Sequence, residues 1–183
     1  MCGFFGNIFG TNYLNNKKKF IESSKLLSHR GPDDKSSFFN DNLNIFFYRL
    51  SIRDTSINGR QPMISKSKRY LICFNGEIYN TEFLKKKYLN NFNLKSNSDT
   101  EILLESFQKK GPNILKDCDG MYAFFIHDFY SKKSFLVRDR FGIKPLYFQN
   151  FDKNFLFSSE IKPIIKFSKD LKFSNLALAD FFF

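Results

Sequence analysis

Cys2 lies one residue behind an initiator methionine, which gives its thiol a chemistry that no internal cysteine has. Once Met1 is removed, the residue carries a nucleophilic sulfur and its own α-amine, with an ordinary pKa of about 8, so attacking group and general base come from one residue. The alternative role is a small buried hydrophobe opening a first strand. Position alone does not choose between them; a matching oxyanion site elsewhere in the chain would. Asn75-Gly76 is the place to look, because an Asn amide beside a freely approachable Gly N–H is a suitable donor pair for a tetrahedral oxyanion. The same dipeptide is a hairpin signal, since both residues tolerate tight turns. Here it ends a strand pattern and is followed by Glu77-Ile78-Tyr79-Asn80 and then a helical pattern, so the strand does not fold straight back and the donor role gains.

The elements that must position these groups are legible in outline. Gly3 to Phe9 is an apolar run of strand length beginning at the nucleophile, and residues 13 to 28 read as a helix with Phe20, Ile21, Ser24 and Leu27 inward, ended by Gly31-Pro32. Ser36 to Asn40 and Leu43 to Leu50 are strands around Asp41-Asn42, and Ser51 to Ser67 is a loop long enough to suggest function. Arg69 to Phe74 is a strand ending at Asn75-Gly76, and Thr81 to Asn91 a helix. Another helix starts at Ser98, where Ser98 and Glu101 have capping-box spacing, buries Leu103 and Phe107, and stops at Gly111-Pro112. From Gly120 onward four strands, Met121 to Ile126, Ser134 to Arg138, Leu146 to Gln149 and Phe155 to Ser158, read as an antiparallel meander before a helix from Glu160 to Phe167. The closing Phe181-Phe182-Phe183 reads as a docking element or a cut one. Grouped helices and antiparallel strands make the fold α+β, in one domain covering 1–183.

Composition narrows the function classes. With 42% hydrophobic residues in 183, the chain has the makings of a sizeable core. No charged segment followed by an apolar one opens it, and its apolar runs are too short to span a bilayer, so a cytoplasmic protein without membrane contact is expected. The cysteines Cys2, Cys73 and Cys118 form no CxxC pair, and with His29 and His127 they make no metal-ligand spacing, so neither disulfide nor metal is expected. The net charge of +11 would suit nucleic acid, but the Lys triplets 17–19 and 85–87 fall in polar helical stretches that read as solvated faces. The bias to Lys, Asn, Phe and Ile is that of an AT-rich coding sequence, and no nucleic-acid partner is expected.

Ordered blocks then identify a resemblance: Cys2-Gly3, His29-Arg30-Gly31-Pro32-Asp33, Arg49-Leu50-Ser51-Ile52, Gln61-Pro62-Met63, Asn75-Gly76-Glu77-Ile78-Tyr79-Asn80, Ser98-Asp99-Thr100-Glu101, Gly120 to Phe124, Arg138 to Tyr147 and Ser159 to Lys162. Together they resemble the class II glutamine amidotransferase domain of glutamine-hydrolysing asparagine synthetases. The resemblance implies the N-terminal nucleophile hydrolase fold, a four-layer αββα sandwich of two antiparallel sheets between helix layers. It implies Cys2 as nucleophile and the Asn75 side chain with Gly76 N–H as oxyanion donors. Arg49 would take the α-carboxylate of L-glutamine, and Asp99 with Glu77 its α-ammonium.

The resemblance further implies hydrolysis of glutamine to glutamate and ammonia through a γ-glutamyl thioester on Cys2, without a cofactor in this domain. ATP and Mg belong to a C-terminal synthetase domain whose Ser-Gly-Gly-x-Asp-Ser loop this sequence lacks, so that partner is expected in cis or in trans; a homodimer is a further expectation. His29 reads, with Arg30 to Asp34, as a loop bordering the site; Cys73 and Cys118 as core cysteines; His127 as a strand residue. Segments 138–147 and 159–162 belong to the side that faces the synthetase domain in related proteins. The amide acceptor is expected to be aspartate. The alternatives are a surface-polysaccharide sugar acid, or a catalytically silent interaction module if Met1 is retained. Sugar- and purine-pathway amidotransferases typically carry Arg-Trp where this chain has Arg49-Leu50, and the chain has no Trp.

Overall fold

The computed structural model describes residues 1–9, 17–151 and 154–168. Hydrophobic alternation along two sets of strands builds two antiparallel sheets. In the five-stranded sheet the order is β2 (Asp34–Phe39), β3 (Leu43–Arg49), β1 (Gly3–Phe9), β9 (Asn154–Ser158) and β8 (Tyr147–Phe151). The four-stranded sheet runs β4 (Met63–Ile64), β5 (Tyr70–Ile78), β6 (Gly120–Asp128) and β7 (Lys133–Arg138). Phe4 of β1 packs with Leu71 and Cys73 of β5 between the sheets, whereas the adjacent Phe5 faces Phe20 and Phe167 on the outside. Those outer residues belong to α1 (Lys17–Ser24) and α4 (Ile161–Ser168). On the other outer face Ile72, Phe74 and Ile78 meet Leu84 of α2 (Thr81–Tyr88) and Leu103 and Phe107 of α3 (Asp99–Lys110). The result is the expected αββα sandwich.

Most elements fall where the sequence put them, with informative differences. The strand expected to end at Phe74 continues through Asn75 and Gly76, which pair with Ala123 and Tyr122 of β6, so the dipeptide is no hairpin turn. The expected meander divides between sheets: β6 and β7 follow β5, while β8 and β9 join β1. The first helix turns into a 3-10 segment over Lys25–Arg30, so Arg30 ends a helical element and does not lie in a loop. Residues 13–16 and the terminal phenylalanines lie outside the described residues. Among the described residues no helix is long and apolar enough to cross a membrane.

Candidate active site

The side-chain alternation that builds the inter-sheet core also aims the chemistry. Asn75 shares a face of β5 with Leu71 and Cys73, and Cys2 packs against that same inter-sheet cluster just before β1. Both therefore meet at one end of the sandwich, where a cleft is lined by Cys2, Arg49, Asn75, Gly76, Glu77 and Asp99, the full set singled out in the sequence. Cys2 is fixed from two directions. Its Sγ accepts the Leu50 N–H at 3.4 Å and lies 3.5 Å from the Leu50 carbonyl, to which the thiol can donate. Arg30 Nε donates to the Cys2 carbonyl at 2.9 Å, and its Nη1 pairs with Glu160 at 3.1 Å. With Met1 in place, burial pushes the Cys2 thiol above its ordinary pKa, with the Leu50 N–H, the Met1 ammonium and Arg49 pulling it down and Asp99 adding to the rise. The thiol therefore needs a base beside it to become a nucleophile.

Asn75 is only 1% exposed, and its Nδ2 has no hydrogen-bond partner among the described residues. A buried amide donor left empty costs free energy, and such exceptions call for a reason. Its main-chain neighbour is held by Gln61, whose Oε1 accepts the Phe74 N–H at 2.6 Å and whose Nε2 donates to the Phe74 carbonyl and to Thr100 Oγ1, each at 3.2 Å.

Arg49 ends β3 and is buried; its Nη1 donates to the Ser56 carbonyl at 2.8 Å and its Nη2 to that of Asp54, leaving other N–H groups of the fork for a ligand. Gly59 is what lets the guanidinium lie there, since a Cβ at that position would stand 2.3 Å from Arg49 Nη2. Asp99 is the first residue of α3, behind Ser98, whose side chain accepts the Glu101 N–H. The capping box is half made, because Glu101 turns instead to the Lys95 and Ser96 N–H groups. Asp99 Oδ2 accepts the Ile78 N–H at 3.0 Å. Burial raises its carboxyl pKa, opposed by that N–H, by Arg53 and by the Thr100 N–H, and reinforced by Glu77. Glu77 stands exposed at the lip.

Other cleft groups carried no individual role in the sequence reading. Arg53, Gln61 and Lys144 all line the cleft. Lys144 is 8% exposed, with its Nζ 3.4 Å from Met1 Sδ. It is turned inward by a tight loop in which Asp139 accepts the N–H groups of Phe141, Ile143 and Lys144. Gly142 supplies the φ of +64° that the loop requires. The signal for Lys144 lay in the Arg138 to Tyr147 block, but nothing local says which of its side chains turns in. His29 sits outside the cleft, 2.9 Å from Glu160, and His127 lies on β6 bonded to Ser134. Cys73 is fully buried, and burial pushes the half-buried Cys118 up to about 12, so neither is a competing nucleophile.

Comparison with known proteins gives one consistent result. Residues 1–183 match the family described as "Glutamine amidotransferase domain". The chain is 35% identical over 175 residues to asparagine synthetase B (glutamine-hydrolyzing) of Escherichia coli, covering 94% of this chain and 31% of that protein. It is 40% identical over 138 residues to asparagine synthetase (glutamine-hydrolyzing) 2 of Bacillus subtilis, covering 75% of this chain and 18% of that one. The chain thus spans less than a third of either relative. In fold it is similar to the glutamine phosphoribosylpyrophosphate amidotransferase of B. subtilis, with a TM-score of 0.68 at 18% identity over 92% of this chain and 44% of that one. The sandwich is accordingly the N-terminal nucleophile hydrolase fold of amidotransferases, and with a family match running from first residue to last, the chain belongs to the glutamine amidotransferase domain family.

Proposed function

We propose that this domain hydrolyses L-glutamine to glutamate and ammonia at Cys2. The observation that carries the reading is the buried Asn75 Nδ2, without a hydrogen-bond partner among the described residues, in the cleft that holds the Cys2 thiol: such a donor suits an oxyanion present only during reaction. After removal of Met1, the α-amine of Cys2 takes the thiol proton as sulfur attacks the γ-carbonyl. The carbonyl oxygen gathers charge against Asn75 Nδ2 and the Gly76 N–H. On collapse the C–N bond breaks, the amine returns its proton to the leaving nitrogen, and ammonia departs. Water, deprotonated by the same amine, then attacks the thioester, and glutamate leaves as the thiol is restored. Arg49 pairs with the substrate α-carboxylate and Asp99 with Glu77 holds the α-ammonium. No metal or cofactor has a part in these steps.

The ammonia serves a synthetase domain, on the same chain or another, in keeping with the names of the relatives; ATP drives that domain's reaction, and aspartate is the favoured acceptor. Exposed apolar side chains in the two blocks already singled out, 138–147 and 159–162, support a docked partner: Phe141, which is 89% exposed, Ile143 and Ile161. The test is glutamate release by the chain after intact mass has shown Met1 to be gone. Release abolished by Cys2→Ala supports the reading; release that survives Cys2→Ala contradicts it.

A further inference from the structure

Arg53 belongs to the segment that runs from β3 to β4, yet its side chain fastens onto the opposite wall of the cleft. Its Nη1 donates to the Ile78 carbonyl at 2.9 Å and its Nη2 to Thr81 Oγ1 at 2.8 Å. Ile78 is therefore gripped twice, by Asp99 through its N–H and by Arg53 through its carbonyl. Thr81 is the buried first residue of α2, so the clasp also fixes where that helix starts. The neighbouring Asp54 adds a second strap: its Oδ2 accepts the Asn97 N–H at 2.8 Å, just before α3. The segment between β3 and β4 is in this way pinned to both elements that carry Glu77 and Asp99. Arg53 is also a positive charge close enough to Asp99 to oppose the effect of its burial, where Glu77 does the reverse. Met1 with its α-amine, Cys2, Arg49, Asp54 and Lys144 complete the titratable and charged residues lining the same cleft.

We propose that Arg53 is a positioning residue for the part of the site that recognises the substrate α-ammonium, clasping Ile78 and Thr81 so that Asp99 and Glu77 stand at a fixed distance from the bound amino acid. The inference rests on the glutaminase reading and adds the source of its selectivity. A merely structural clasp would affect every amide substrate alike. A clasp that sets the ammonium contact affects most the substrate that has an ammonium.

The experiment compares L-glutamine with glutaramic acid, which keeps the γ-amide and the carboxylate but lacks the α-amine, in the Met1-processed chain and its Arg53→Met and Arg53→Lys variants. With hydrogen bonds from a charged donor lost, Arg53→Met should raise KM for glutamine about tenfold with a smaller change in kcat. It should also shrink the preference for glutamine over glutaramic acid, and Arg53→Lys should recover part of that preference. Thr81→Val, which removes one acceptor and leaves the charge, should shift the preference in the same direction by less, and it serves if Arg53→Met does not fold. Equal losses on both substrates, or an unchanged preference, overturn the inference alone. A wild-type chain that hydrolyses neither amide and takes no label at Cys2 from a γ-electrophilic glutamine analogue overturns the glutaminase reading, and this inference with it.

Discussion

Gln61 and Phe74 are joined by two hydrogen bonds, from Phe74 N–H to Gln61 Oε1 at 2.6 Å and from Gln61 Nε2 to the Phe74 carbonyl at 3.2 Å. The ladder between β4 and β5 pairs Met63 with Ile72, and continuing that register brings Gln61 opposite Phe74. The Gln61 side chain thus does there what a strand backbone would do, and it steadies the residue beside Asn75. Gln61→Ala should lower stability by about 2 kcal/mol, because it leaves two buried main-chain groups unpaired. It should lower turnover as well. Urea denaturation checks the first part, and a variant as stable as wild type would contradict it.

Asn75 should behave in the opposite way. Its Nδ2 has no partner among the described residues to lose, so Asn75→Ala should leave stability unchanged or raised while glutamate release falls about a hundredfold or more. Melting and turnover measured on one preparation separate the two. A variant that melts early and keeps its turnover would make Asn75 a structural residue.

Local pattern carried much of this fold, and tertiary geometry carried the rest. The β1 strand was readable because its apolar run ends at a glycine, and α3 because Ser98 caps it and Gly111 ends it at a φ of +62°. Asn75-Gly76 misled as a strand end because turn propensity is local, whereas the β6 partner that keeps β5 straight lies far along the chain. The split of the last strands between two sheets is equally invisible to alternation, which fixes a face and not a neighbour. The candidate site residues that line the cleft were legible as motif blocks. Arg53, Gln61 and Lys144 were not given roles because the contacts that place them in the cleft exist only after folding.

Gly59→Ala tests the seat of Arg49 without touching Arg49. The added Cβ would fall 2.3 Å from Nη2, so the guanidinium must move. With the charge-assisted bonds to the substrate carboxylate misaligned, KM for glutamine should rise about tenfold or more and kcat should change less. Steady-state kinetics decide it; unchanged KM would remove Arg49 from the carboxylate site.

At the far end of the sandwich, Asp128 gives a pH signature independent of catalysis. The Arg69 guanidinium, 2.7 Å away, and the Ser131 and Tyr130 donors hold its carboxyl well below the usual range despite burial. A carboxyl with a depressed folded pKa stabilises fully above its unfolded value of about 3.9, and that contribution is lost as pH falls through the folded value. Asp128→Asn should therefore be less stable than wild type at pH 7, with the gap closing below about pH 4. Melting temperatures across that range check it; a gap independent of pH would contradict the ionic account.

The central claim is covalent. The Met1-processed chain should be mixed with L-glutamine, quenched in acid within the first turnovers, and weighed intact. The account predicts a species heavier by one γ-glutamyl group, mapping to Cys2 and absent in Cys2→Ala. Glutamate formed at the wild-type rate with no adduct on Cys2, or with the adduct on another residue, would contradict it.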